Sequence, residues 1–245
     1  MRALGLALIS LLGCNEVIDL GDELRFDRKP GSEEPPGPPP GCPPARWIHE
    51  TFEGDDYRRE IWQEPSSTPP GALSITEGMA RVGLGSDVYH LGRFDALLPL
   101  SLRDARVELE LVEAPSAASG AAFSVLFILP SHTGGIEMLV EQGLLRVYSW
   151  NTEVDGFIQT VLAPYDLVAH RWLRLGHADG MVIVETSADG STWREQARDP
   201  ESDYPVPLDD LLFIVMAFTE DPPVAGQETG VRFDNVGGTL CLPGG

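Results

Sequence analysis

The residues with the clearest chemical potential are carboxylates and aromatics set at strand spacing. In Glu108-Leu109-Glu110-Leu111-Val112-Glu113, Glu108 and Glu110 hold alternate positions and Glu113 follows three residues on. Two carboxylates about 5 Å apart serve retaining glycoside hydrolysis, and alternate positions on a strand supply that separation. The same pattern has a plainer reading: Val107, Leu109 and Leu111 face a core while Arg106, Glu108 and Glu110 face water. Further on, Glu137 and Glu141 share one face of a strand, and Arg146, Tyr148 and Trp150 share one face of the next. Aromatic faces beside polar hydrogen-bonding groups are what a saccharide site needs. The alternative places Tyr148 and Trp150 in the core. The histidines (His49, His90, His132, His170 and His177) show no H-x-x-x-H or H-x-H spacing, so zinc is not indicated.

These residues sit in a chain whose bulk properties exclude several functions. Its 245 residues carry 17 Lys and Arg against 38 Asp and Glu, a formal charge of −21. No basic stripe is present for a phosphate backbone, so nucleic acid is not an expected partner. No apolar run reaches the roughly 18 residues needed to span a bilayer.

The N-terminus reads as an address. Residues 1–13 combine Arg2 with an apolar stretch from Ala3 to Gly13, the arrangement of a signal peptide. Leu11-Leu12-Gly13-Cys14 resembles the lipobox of bacterial lipoproteins, with Leu12 where a smaller residue is usual. The resemblance implies cleavage after Gly13, lipidation of Cys14 and attachment to a membrane of the bacterial cell envelope. By the enteric sorting rule Asn15 would direct the protein to the outer membrane, on its periplasmic or surface face. Residues 14–41 are acidic and then proline-rich, a disordered, semi-rigid spacer rather than a core-forming segment.

Cys42 and Cys241 bound the region that follows, residues 42–245. An exported chain meets an oxidising compartment, and with Cys14 acylated one disulfide pairing remains. A Cys42–Cys241 bridge would close the domain at its ends; free thiols are the alternative. Neither cysteine has a base beside it that would mark a nucleophile.

From Arg46 onward, alternating apolar and polar residues are punctuated by turns. Strands are predicted at 47–52, 72–76, 79–82, 106–111, 123–129, 136–140, 144–150, 157–162, 172–175, 181–186, 192–196, 211–218 and 231–236. Glu77-Gly78 and the Ser187–Ser191 stretch are expected turns. No segment sustains a helical period. The fold class expected is all-β, a single two-sheet antiparallel sandwich.

Three stretches, in order, resemble the concanavalin A-like lectin/glucanase superfamily. They are Phe52-Glu53-Gly54-Asp55-Asp56 with Ile61-Trp62, then Trp172 to Leu175 leading into Ser187-Ala188-Asp189-Gly190-Ser191-Thr192-Trp193, and finally Phe233-Asp234-Asn235-Val236. The resemblance covers about residues 45–238. It implies a jelly roll with any sugar site on the concave face. Laminarinase-like members carry Glu-x-Asp-x-(x)-Glu on one concave strand. At the matching place, Gly134 to Glu141, the leading acid would be Gly135 and Glu141 is out of step. The resemblance therefore implies no catalytic set, and the expectation is a non-catalytic lectin-like module with Glu137, Arg146, Tyr148 and Trp150 contacting carbohydrate. An envelope protein without a sugar ligand and a β-glucan hydrolase are the alternatives. Some members hold a structural calcium ion between the first loop and the last strand. Glu53, the Gly54 carbonyl and Asp234 fall at those places; surface acid and a turn-capping Asp are the plainer account.

Overall fold

The computed structural model describes residues 37–85, 89–219 and 229–243. The predicted signal peptide, Cys14 and the spacer up to residue 36 lie outside the described residues.

Alternation of apolar and polar side chains produces strands here, because each residue then has one wet and one buried neighbour face. The strands are β1 (Ser66–Thr68), β2 (Leu73–Thr76), β3 (Met79–Leu84), β4 (Leu91–Asp95), β5 (Arg106–Glu113), β6 (Ala121–Ile128) and β7 (Gly134–Glu141). They continue as β8 (Leu144–Asn151), β9 (Gly156–Pro164), β10 (Trp172–Ala178), β11 (Met181–Ser187), β12 (Trp193–Pro200), β13 (Leu212–Thr219) and β14 (Thr229–Gly238). They form two seven-stranded sheets, every pairing antiparallel. The front sheet has the order β1-β4-β13-β6-β7-β8-β9 and the back sheet β12-β11-β10-β5-β14-β3-β2. The expected all-β two-sheet sandwich is the fold.

One core lies between the sheets. Phe123, Val125 and Phe127 of β6, Phe213 and Val215 of β13 and Phe94 of β4 meet Val107, Leu109 and Leu111 of β5 and Phe233 of β14, all essentially without solvent exposure. Gly92 of β4 lets the sheets approach, since a Cβ there would stand 2.7 Å from Val82 of β3.

The two ends of the domain are fastened together. Cys42 and Cys241 form a disulfide with Cα atoms 5.9 Å apart. Beside it, Ile48 N donates to Leu240 O at 3.1 Å, and Leu242 N donates to Arg46 O at 2.8 Å. The predicted opening strand over 47–52 is realised only as isolated bridges, Trp47 to Cys241 and Glu50 to Val236. Its backbone leaves the ladder at Phe52, which adopts φ 50°. Glu50 explains that departure: its carboxylate accepts hydrogen bonds from Phe52 N, Arg58 N and Trp62 Nε1 at 2.9, 2.8 and 3.1 Å, gathering a loop around one buried anion.

Candidate carbohydrate site on the front sheet

β6 is apolar on both faces. Phe123, Val125 and Phe127 enter the core, which turns Ala122, Ser124, Leu126 and Ile128 to the opposite, solvent side of the front sheet. The ladder registers extend this surface across the sheet. One row runs Asp95, Ile214, Leu126, Glu137, Tyr148, Gln159. The next row toward the β8–β9 turn runs Leu212, Ile128, Gly135, Trp150, Phe157. Beyond the first row on its other side lie Arg93, Met216, Ser124, Leu139 and Arg146.

The four residues expected to contact a ligand are thus brought together. Glu137 stands directly opposite Tyr148, and Arg146 opposite Leu139. The β7–β8 turn, Gln142-Gly143, has positive φ at both positions; such two-residue turns match strand twist and fix this register. Tyr148 and Trp150 are not core residues: both are half-buried on the solvent side, while Leu145 and Val147 point inward. Trp150 packs on the small apolar cluster of Leu126, Ile128 and Ile214. A Cβ at Gly135 would lie 3.0 Å from the Trp150 Cη2 atom, so the indole edge takes the space a side chain at 135 would need.

The polar groups are held in place. Ser124 donates its hydroxyl to Glu137 Oε1 at 2.6 Å. Arg146 Nη1 donates to Tyr148 Oη at 3.0 Å and also to Glu141. The Tyr148 contact, with the nearby Glu141 charge, holds the Arg146 guanidinium above its usual range, so it stays charged. Sequence reasoning did not single out Ser124, Phe157, Arg93 or Asp95 as contributors. Phe157, 65% exposed, has its ring centroid 5.7 Å from that of Tyr148. Arg93 Nε donates to Asp95 at 3.0 Å on a strand that was not foreseen. The strand that Phe157 begins was predicted; its place beside Tyr148 and Trp150 follows from the sheet register.

The carboxylates on the described strands of this face stand far apart. Glu137 and Glu141 are four residues apart on one strand, about 13 Å along the backbone at the usual rise. Glycoside hydrolysis by paired acids uses separations of about 5–9.5 Å. Asp95 is three strands from Glu137, about 14 Å at the usual strand spacing.

Glu108 and Glu110 lie on the outward face of the back sheet, where alternation placed them, and a register shift opposite Arg232 and Phe233 brings Glu113 to Arg232. Glu108 accepts from Arg174 Nη2 at 2.7 Å, Glu110 from Arg171 at 2.5 Å and Glu113 from Arg232 at 2.6 Å. Arg174 also lies 3.4 Å from the centroid of the Trp193 ring. In the Ser187–Ser191 turn, Asp189 accepts backbone N–H bonds from Thr192 and Ser191, which hold its carboxyl below the ordinary range. That loop shapes a hairpin.

The residues expected to hold calcium supply few oxygens. Calcium takes about six to eight oxygens. Glu53, the Gly54 carbonyl and Asp234 supply three residues, and the two Asp234 oxygens accept from Asn235 N and Asn235 Nδ2 at 2.7 and 3.1 Å. Among the described residues, no three or more His, Cys, Asp or Glu side chains are grouped to hold a metal ion.

No family model matches the sequence, and no curated protein matches it. Solved structures do resemble the fold. The endo-β-1,3-glucanase of Pyrococcus furiosus is 11% identical with a TM-score of 0.61, over 82% of this chain and 95% of that one. The laminarinase catalytic domain of Thermotoga petrophila is 10% identical, TM-score 0.60, over 81% and 98%. β-Agarase A of Zobellia galactanivorans is 10% identical, TM-score 0.57, over 80% and 91%. The two-sheet sandwich is therefore a fold shared with these structures. At these identities the likeness concerns the fold.

Proposed function

We propose that this protein is a non-catalytic carbohydrate-binding module, exported and tethered to the bacterial cell envelope through lipid on Cys14. The observation that carries the binding reading is the contiguous surface of Tyr148, Trp150 and Phe157 beside Glu137 and Arg146 on the open side of the front sheet. Rings that expose an apolar face beside fixed hydrogen-bonding groups suit the alternating C–H and hydroxyl surfaces of a pyranose. The non-catalytic reading is supported by Gly135, whose side-chain space the Trp150 indole occupies, and by the wide carboxylate spacing. The fold is shared with enzymes named for β-1,3-glucan and agar, which makes those polysaccharides the natural first probes.

A glycan array and titrations of the protein with oligosaccharides from both polymers test the reading. Binding should weaken about tenfold or more in Trp150→Ala, the loss expected for an aromatic platform. A blank array, or a Trp150→Ala variant that binds as before, would sink it; stoichiometric capture of an envelope protein on this face would favour a partner-binding role. Release of reducing ends that disappears in Glu137→Gln would show an enzyme. The anchor is tested separately: fatty-acid labelling should be lost in Cys14→Ala.

A further inference from the structure

We propose that His177 is a pH-sensitive latch: protonation of its imidazole releases residues 101–105 from residues 201–209 and loosens the rim of the open face that the second segment seats. The inference goes beyond the carbohydrate reading and needs no ligand. Its ground is the hydrogen-bond role of each imidazole nitrogen.

His177 is a buried residue of β10, with the apolar Val182 of β11 opposite it. Its Nδ1 accepts from Asp104 N at 3.0 Å, so the proton of the neutral ring sits on Nε2. Nε2 stands 3.2 Å from Glu201 Oε2. The charged groups facing the ring are Glu201 and Asp104, whose Oδ1 is 3.6 Å from Nδ1, with Arg103 and Asp209 bonded behind them. Arg106 of β5, opposite Gly176, is directed to Glu108. Arg103 ties the two segments together: Nη1 donates to Glu201 Oε2 at 2.8 Å and Nε to Asp209 Oδ2 at 2.6 Å. Beside it, Ser101 Oγ donates to Asp209 Oδ1 at 2.6 Å and Leu102 N to Leu208 O at 2.8 Å. The Arg103 bond holds the Glu201 carboxyl below its ordinary range, so Glu201 is an anion wherever histidine titrates.

An imidazolium donates from both nitrogens. A proton on Nδ1 would face the Asp104 N–H, donor against donor, and that bond is lost. The Arg103–Asp104 peptide must then turn, and the Asp104 carboxylate beside Nδ1 becomes the replacement acceptor. Asp104 has φ 50° and its side chain lies in water, so the turn moves no core group. The new cation also competes with Arg103 for Glu201, placing two like charges on one carboxylate. Both effects fall on the contacts that join the two segments. Residues 201–209 in turn seat the rim of the open face. Pro205 O accepts from Asn151 Nδ2 at 2.8 Å. A Cβ at Gly156 would stand 2.6 Å from Pro205, and one at Gly134 2.8 Å from Val206. Asn151, Gly156 and Gly134 are the chain neighbours of Trp150, Phe157 and Gly135.

The test is NMR and amide hydrogen exchange on the full chain at about pH 8 and about pH 5, the ends of the range in which histidine changes charge. The His177 ring should show a bare Nδ1 at the higher pH and protons on both nitrogens at the lower. Over the same change, protection of the Leu102 and Asp104 amides, taken against the unfolded-chain rate at each pH, should fall about tenfold or more. The Asn151 side-chain amide signal should shift with it. His177→Gln, neutral at every pH, should keep its protection constant. Glu201→Gln removes the anion beside Nε2 and should move the loss of protection to lower pH; it carries the test if a thermal melt shows that His177→Gln does not fold. Protection that is unchanged while the ring titrates, a ring that stays neutral at the lower pH, or a proton on Nδ1 at the higher pH overturns the inference. The same loss of protection in His177→Gln overturns it too, because another group would then be the one that titrates. An Asn151 signal that stays in place overturns the link to the open face.

Discussion

Alanine at Gly135 probes the packing on which the open face depends. A Cβ there would stand 2.6 Å from Phe127 O and 3.0 Å from Trp150 Cη2. The first neighbour is backbone of the adjacent strand and cannot rotate away. The second is the edge of the indole, which can move only by leaving its seat on Leu126, Ile128 and Ile214. Adding a methyl to filled space costs about 1–3 kcal/mol. Removing a glycine from a strand returns about 0.5–1 kcal/mol. Overpacking wins, by about 1 kcal/mol, which for a domain of this size lowers Tm by about 2–4 °C. Urea unfolding should show a lower midpoint at an unchanged m value. Ligand titration of the same variant should show weaker binding, because relief of the clash displaces Trp150. A midpoint equal to or above that of the parent, with unaltered binding, would refute the claim that Gly135 is glycine to seat the indole.

Three other outcomes follow from the same structure. Glu50→Ala leaves the N–H groups of Phe52, Arg58 and Trp62 without their buried acceptor, and should cost about 3 kcal/mol in denaturant unfolding, since orphaned donors are expensive. Burial, and for His49 the nearby Arg58 charge, hold the His49 and His170 imidazoles below their ordinary value. The unfolded chain then takes up protons first as pH falls below about 6.5. Stability should therefore decline from neutral toward mildly acidic pH, and His49→Gln with His170→Gln should flatten that slope. Breaking the Cys42–Cys241 bridge, which spans 199 residues, with paired alanines should cost up to about 5 kcal/mol if loop entropy dominates, read as a lower urea midpoint.

The sequence was readable wherever an element obeys period two. β5, β7, β8 and β11 contain the residues predicted for them, because each strand has one face in a single core and one outside it. It was silent where packing overrides pattern. β1 is three polar residues before two prolines, and β4 is interrupted by Gly92, the residue that permits close approach of the sheets. What makes β4 fit the fold is thus what hid it, and with it Arg93 and Asp95. The opening segment alternates like a strand, yet Glu50 draws its backbone into a loop; local pattern does not reveal a buried anion whose donors lie up to 12 residues away. In the candidate site, strand neighbours such as Tyr148 and Trp150 were visible as a face, whereas Ser124 and Phe157 join through registers that only the folded sheet defines.

The same distinction governs what the fold can say about chemistry. A sandwich requires that inward positions such as Phe123, Val125, Phe127, Leu145 and Val147 be apolar and fill one core. It places no comparable demand on the outward positions of those strands. Two chains can therefore share the architecture at about the 11% identity seen with the Pyrococcus furiosus enzyme and carry unrelated groups on the open face. Here the outward positions are internally consistent in a way that solubility alone does not require. A glycine makes room for an indole, a buried serine orients a carboxylate, and each arginine is tied to an acid beside it. A surface serving only solubility has no need to order its aromatics or to leave Phe157 65% exposed next to them. On the proposed binding reading, the ligand is to be sought in the row from Asp95 through Glu137 to Gln159 and its aromatic neighbour row.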